Sequence, residues 1–170
     1  NVDFQDITAA GAASPFTGTS LGDALGNSNI TTDTPVTRYW IGGTGSWSAT
    51  TEWSASSGGA GSASVPLCLD TVVFDANSFS AGSQTVTADM PRLGAGINFS
   101  AATNNPALTI NVTTLNVARI FGNLILGTMT TTVSSTQSIY FEGTGTINIT
   151  SNGATINFSV LFNKTGATFT

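Results

Sequence analysis

The sequence predicts an all-β protein: a β-solenoid (parallel β-helix-like) of short strands that carries a Trp/Gly-rich module, with a β-sandwich as the alternative. Three observations predict it. From Gly94 onwards short apolar–polar alternations follow one another with turn signals between them. Their outward neighbours are mostly Thr, Asn and Ser, residues suited to a solvated strand face. The tetrapeptide I-N-F-S at Ile97 returns at Ile156, with I-Y-F-E between them at Ile139, at separations that are not constant but fall roughly in the range of repeat architectures. In such a fold each coil stacks its Ile, Leu and Phe on the next, and each fully buried side chain contributes about 1.5–3 kcal/mol.

The chain has 170 residues, enough to bury a substantial core. It divides into an N-terminal strand and loop region (1–35), the Trp/Gly-rich module (36–92) and the solenoid coils (93–170), read as one continuous structural unit. Charged residues make up 8%, far below the roughly 25% of an ordinary globular protein. Disorder does not follow, because 40% of residues are apolar. A net charge of −5 excludes a nucleic-acid groove and a basic membrane-binding face. Apolar runs such as 67–69 and 72–74 are far too short to cross a bilayer, so no membrane insertion is expected. No signal-peptide pattern opens the chain, and a start at Asn1 without Met fits a mature product or a piece of something longer.

Taken in order, residues 1–10 alternate through Val2 and Phe4 as a half-buried strand. Residues 11–37 are rich in Gly, Ser, Thr and Asn, with Pro15 and Pro35, and read as loop and short strand. Within them 20–25 has the makings of one helical turn, which Gly22 and Gly26 keep from growing. Gly42, Gly43 and Gly45 lie between Trp40 and Trp47 and predict a tight turn folding one indole towards another. Residues 54–64 form a low-complexity Ser/Gly/Ala loop. Strands are predicted over 70–76, with Val72 and Phe74 on one face, and over 84–88 around Val86. The later alternations are Ile97/Phe99, Leu108/Ile110/Val112, Leu115/Val117, Leu124/Leu126, Ile139/Phe141, Ile147/Ile149 and Ile156/Phe158/Val160. Alternation continues to Thr170 without a charged or Pro-containing cap, which predicts an open sheet edge covered by further coils or by other subunits. A homo-oligomer is therefore expected, a trimer in a fibre.

The run Y-W-I-G-G-T-G-S-W-S, then E-W-S-A-S-S-G-G-A-G, V-P and D-T-V-V-F-D-A holds all three tryptophans, with the one cysteine, Cys68, between its last two parts. Over 38–89 it resembles the W-x-G-G-x-G-x-W…W…V-P…D-x-V-x-F segment of β-helical phage tail-fibre proteins and autotransporter-type surface adhesins. The resemblance implies a β-helical virion or cell-surface protein used for attachment, located on a virion or outside the cell. It brings no catalytic residues with it.

The residues themselves agree that no enzyme is expected. The chain has no His, which removes the usual general base and the commonest metal ligand. Cys68 is alone, cannot form an internal disulfide, and reads as a small buried hydrophobe. Tyr39, Trp40, Trp47 and Trp53 are the candidate ligand-binding residues, as an aromatic platform for a host-surface glycan; the competing reading is that they pack. Glu52, Asp70 and Asp75 offer oxygen ligands but match no Ca²⁺ loop, so no metal or other cofactor is expected. A carboxylate pair would suit glycan hydrolysis, as in tailspikes, with Asp3/Asp6 and Asp70/Asp75 close along the chain. G-G-T-G lacks the Gly-Lys-Ser/Thr of a phosphate loop, and the N-x-[ST] matches are those expected of an Asn/Thr-rich chain.

Overall fold

The computed structural model describes residues 1–12, 14–127, 129–133, 137–163 and 168–169. The protein is all-β. The helical element among the described residues is a single 3-10 turn, Thr50–Glu52. The chain opens with β1 (Val2–Phe4), β2 (Phe16–Thr17), β3 (Leu21–Asp23) and β4 (Ile30–Thr31). β1 pairs with β3 and β2 with β4, both in parallel, as two small sheets. Residues 20–25 thus hold a strand rather than a helical turn. The neighbour that makes it one is β1, beyond the reach of local propensity.

The module follows as β5 (Thr37–Trp40), β6 (Gly45–Ser46), β7 (Trp53–Ser54), β8 (Thr71–Val73) and β9 (Thr85–Ala88). Then come β10 (Arg92–Asn98), β11 (Ala107–Ile110), β12 (Val117–Ile125), β13 (Thr130–Val133) and β14 (Ser138–Phe141). The last strands are β15 (Thr146–Ile147), β16 (Ile149–Thr150), β17 (Ser159–Phe162) and β18 (Thr168–Phe169). A large mixed sheet runs β17-β14-β12-β10-β8-β5-β7, with β16 also on β12. A second sheet runs β13-β11-β9-β6, and β15 pairs with β18. Among the described residues every pair of these strands is parallel except β5–β7.

From β8 to β14, successive strands of the large sheet alternate in sequence with strands of the second sheet, so the chain passes between the two repeatedly. Register keeps apolar side chains above one another. Val72 lies beside Ile97 and Ile97 beside Leu124, all fully buried. Val86 pairs with Leu108 and Ala88 with Ile110 in the second sheet, again with no exposure. One core runs from Trp40 to Phe158 and crosses from the Trp-rich module into the later strands. A smaller cluster of Ala24, Cys68 and Phe121 joins the N-terminal strands to it.

The internal sequence match does not follow the strand ladders. Ile97 shares its ladder with Leu124 and Ile149, whereas Ile139 lies beside Ala118 and Val160. The reason is β12, one strand whose first half pairs with β14 and whose second half pairs with β16. Its register with β10 shifts around Gly122, where a Cβ would collide with the carbonyl oxygen of Ala95. Gly143 stands in the same way on the carbonyl of Phe121. Leu115, expected in a strand, lies in a turn and is 53% exposed. Of the alternating end segment, 164–167 and Thr170 lie outside the described residues. No helix among the described residues is long and apolar enough to cross a membrane.

Candidate functional site

The aromatic residues proposed from sequence as a glycan platform do not form one. Trp40, Trp47 and Trp53 are all 0% exposed, and a ring without exposed surface offers no face to a sugar. Trp40 pairs with Trp53 across β5 and β7, at 5.0 Å between ring centroids, and Trp53 meets Trp47 edge-on at 4.9 Å. Phe74 lies against all three and stacks on Phe99 at 3.8 Å. The predicted Gly turn is present: Gly43 takes φ +63°, and its carbonyl accepts from Trp40 Nε1 at 3.0 Å. Trp53 Nε1 donates to the Trp47 carbonyl at 2.7 Å, while Trp47 Nε1 is buried without a partner among the described residues. Tyr39 alone of the four is half-buried, on the strand that pairs with β8.

The acidic residues weighed as ligands are taken up one by one in bracing loops. Asp70 is buried and accepts from the backbone N–H groups of Val36 at 2.8 Å and Leu67 at 2.9 Å, which ties the V-P-L-C-L turn to β8. Asp75 accepts from Asn77 N–H, and Glu52 accepts from the Thr51 hydroxyl. No group of three or more potential metal ligands exists among the described residues. Asp3 accepts from Cys68 N–H at 3.3 Å, and burial, reinforced by the Asp3 carboxylate, pushes the Cys68 thiol far above its ordinary pKa. That thiol is neutral and enclosed, the opposite of a nucleophile.

A different constellation lies where the N-terminal strands cover the outer face of the large sheet. Arg92 of β10 and Arg119 of β12 are register partners, and Tyr140 of β14 is the next residue in the ladder. The Arg119 guanidinium lies 5.8 Å from the Tyr140 ring centre. Its Nε donates to Glu142 Oε1 at 3.0 Å, and Asn163 Nδ2 donates to the same oxygen at 3.3 Å. Arg92 donates to Gln5 Oε1 at 3.2 Å, which draws the segment after β1 onto the sheet. Leu25, Leu69 and Ala95 pack around Ala24, Cys68 and Phe121 beside it.

Between these parts lies an open cleft of about 320 Å³, lined by Gln5, Asp6, Leu25, Gly26, Glu142 and Asn163. Gly26 is needed here, because its φ is +74° and a Cβ would strike the Asp6 carboxylate. Glu142 is buried, and its Oε2 has no hydrogen-bond partner among the described residues. Sequence reading passed over Glu142 and Arg119 and met Asn163 only as one of the N-x-[ST] matches. The available signal was spacing: in a chain this poor in charge, Arg92, Arg119 and Glu142 follow one another at about the separation of neighbouring strands in the large sheet. Comparison with protein-family models, curated proteins and solved structures finds no match to this chain in any of the three.

Proposed function

We propose that this chain is a non-enzymatic β-solenoid unit of an extracellular attachment fibre, in the first place a tail or head fibre of a phage virion that contacts the host surface. The observation that carries the reading is the parallel stack β8-β10-β12-β14-β17. Its register pairs lie about 21–27 residues apart and place buried Val, Ile and Leu directly over one another. Stacking of that kind makes a stiff rod, in which each coil contacts only its neighbours. The outer surface is Thr, Asn and Ser with few charges, so copies approach one another with little repulsion. β17 stands at the margin of the sheet with Leu161 38% exposed, which suits contact with a further copy.

Sedimentation of the purified chain, with electron microscopy of any assembly, tests this. Oligomers or rods are expected, and a soluble, well-folded monomer at micromolar concentration would count against a fibre. A bacterial surface adhesin or sheath protein has the same physics and a cellular origin. Neighbouring genes separate the two: portal and capsid genes for a virion, a secretion β-barrel for an adhesin. One observation favours a second class, a polysaccharide-degrading tailspike segment: the carboxylates of Asp6 and Glu142 line one cleft. Release of reducing ends from host polysaccharide would establish that reading and remove the non-enzymatic one.

A further inference from the structure

Residues 1–33 lie on the protein without being woven into it. Their strands pair only with one another, β1 with β3 and β2 with β4, and among the described residues none joins the sheets built from β5 onwards. The backbone hydrogen bonds repeat the pattern: Asp6 N–H donates to the Leu25 carbonyl, Phe16 N–H to that of Asn29 and Ser28 N–H to that of Ile7, all inside the segment. Its ties to the body come from Asn1, Asp3 and Gln5. Asn1 Nδ2 donates to the Val65 carbonyl at 2.8 Å, Asp3 accepts from Cys68 N–H at 3.3 Å, and Gln5 accepts from Arg92 at 3.2 Å. Apolar anchorage is as thin. Among the described residues Leu21 and Ala24 are the segment's buried hydrophobic side chains, whereas Val2, Ile7 and Phe16 are exposed. Ser20 and Leu25 also stand at φ +57° and +77°, left-handed conformations in which a side chain is strained.

Space remains along the join. The open cleft separates Gln5, Asp6 and Gly26 from Glu142 and Asn163, and a cavity of about 120 Å³ lies between Gly22, Asp23 and Asp33 on one side and Leu67, Leu69 and Asp70 on the other. Beneath the segment is Cys68. Gly22 sits so close to it that a Cβ there would lie 3.2 Å from Sγ, and Ala24 closes the cluster with Cys68 and Phe121. Phe121 and Ala95 belong to β12 and β10, which are held independently by the parallel ladder. A unit with few buried contacts and mostly internal hydrogen bonds opens more readily than a core ladder does. Thr34 and Pro35 are exposed and supply the hinge, because Val36 is already fixed by Asp70 and by Thr71 N–H. We propose that residues 1–33 are a strap that swings off the large sheet as one unit and uncovers Cys68, Leu69, Ala95 and Phe121 while the two main sheets stay folded. Opening presents an apolar face that the closed form hides. The inference is independent of the attachment reading.

The whole chain tests this through its own cysteine. An aromatic disulfide reagent forms a mixed disulfide with Cys68 only once the thiol is exposed, and the aromatic thiolate released absorbs visible light. Labelling is followed without denaturant and across low urea, beside global unfolding read by far-UV circular dichroism. Labelling is expected to run about tenfold or more faster than global unfolding permits, with a much shallower urea slope, because only the strap's surface is exposed. Gln5→Ala and Asp3→Ala each remove a tie to the body and should speed labelling about tenfold or more, with the far-UV midpoint nearly unchanged. Hydrogen exchange gives a second reading: amides of β3 should exchange well ahead of those of β10 and β12. If Asp3→Ala does not fold, Gln5→Ala decides. Labelling whose rate and urea slope match global unfolding overturns the strap. Immediate, complete labelling does so too, since the closed form would then leave the thiol open. Rates unchanged by the substitutions, or β3 amides as protected as those of β12, have the same consequence.

Discussion

Trp47 and Trp53 are both fully buried in the same aromatic cluster, yet replacing each with Phe should have different consequences. Either substitution removes ring area worth about 2 kcal/mol of burial, roughly two methylene groups' worth. Trp53→Phe also deletes the 2.7 Å bond to the Trp47 carbonyl and leaves that buried acceptor open, at a further cost of about 1–3 kcal/mol. Trp47→Phe removes a buried N–H that has no partner among the described residues, a relief of similar size that offsets most of the lost area. The two variants should therefore differ by about 3 kcal/mol, with Trp47→Phe near neutral. Urea unfolding followed by far-UV circular dichroism reads this without relying on the altered fluorescence. A gap of about 1 M or more in midpoint is expected at equal slope. Equal midpoints, or a lower one for Trp47→Phe, would show that hydrogen bonding does not rank these indoles.

Gly122→Ala should destabilise the fold by about 3 kcal/mol, because its Cβ would run into the Ala95 carbonyl of the adjoining strand, and backbone cannot move aside cheaply. Gly145→Ala meets no atom and carries only the strain of φ +76°, about 1–2 kcal/mol, so urea midpoints that place it level with Gly122→Ala would refute the close approach at Gly122. For Cys68, burial raises the pKa of the folded thiol, so both states are neutral below about pH 9 and stability is unaffected there. Above that pH the unfolded chain loses a proton that the folded chain keeps, and stability should fall by up to about 1.4 kcal/mol per unit, a slope that Cys68→Ala removes. Arg119→Met leaves Glu142 uncompensated and should cost about 2–3 kcal/mol in the same assay, below the full value for a buried pair because Arg119 is partly exposed.

Strands whose two faces differ were legible in the sequence. β9, β11 and β14 fall where alternation places them, with Val86, Leu108, Ile110, Ile139 and Phe141 inward. The strand ladders were not legible from matched tetrapeptides, because turns of unequal length separate the strands that pair. Ile156 is only half-buried and precedes β17, outside the ladder that holds Ile97. β3 was hidden for another reason: Leu-Gly-Asp has little strand preference of its own and is extended because β1 lies beside it. The tryptophans illustrate a limit of composition. Rings that pack and rings that bind look alike in a sequence, and only their position relative to Phe74 and the sheet faces decides.

The small number of charged residues makes each one's use readable. Asp70, Asp75 and Asp89 accept from backbone N–H groups at loops, and Asp23 and Asp33 do so for Leu25 and Ser20. Asp3 is bonded to Cys68, and Glu52 is folded against Gly42 and Gly45 with its oxygen on Thr51. Most of these carboxylates hold turns that a chain rich in Gly and Ser would otherwise leave loose, while Asp3 and Asp23 do so from strands β1 and β3. Asp6 and Glu142 depart from that pattern. Asp6 accepts no hydrogen bond among the described residues, and Glu142 keeps one oxygen open although it is buried and paired with Arg119. They are remote in sequence and meet only because Gln5 is drawn to Arg92 and β12 carries Arg119 to β14. Loop bracing therefore accounts for the other carboxylates and leaves these two over, and both line the same cleft.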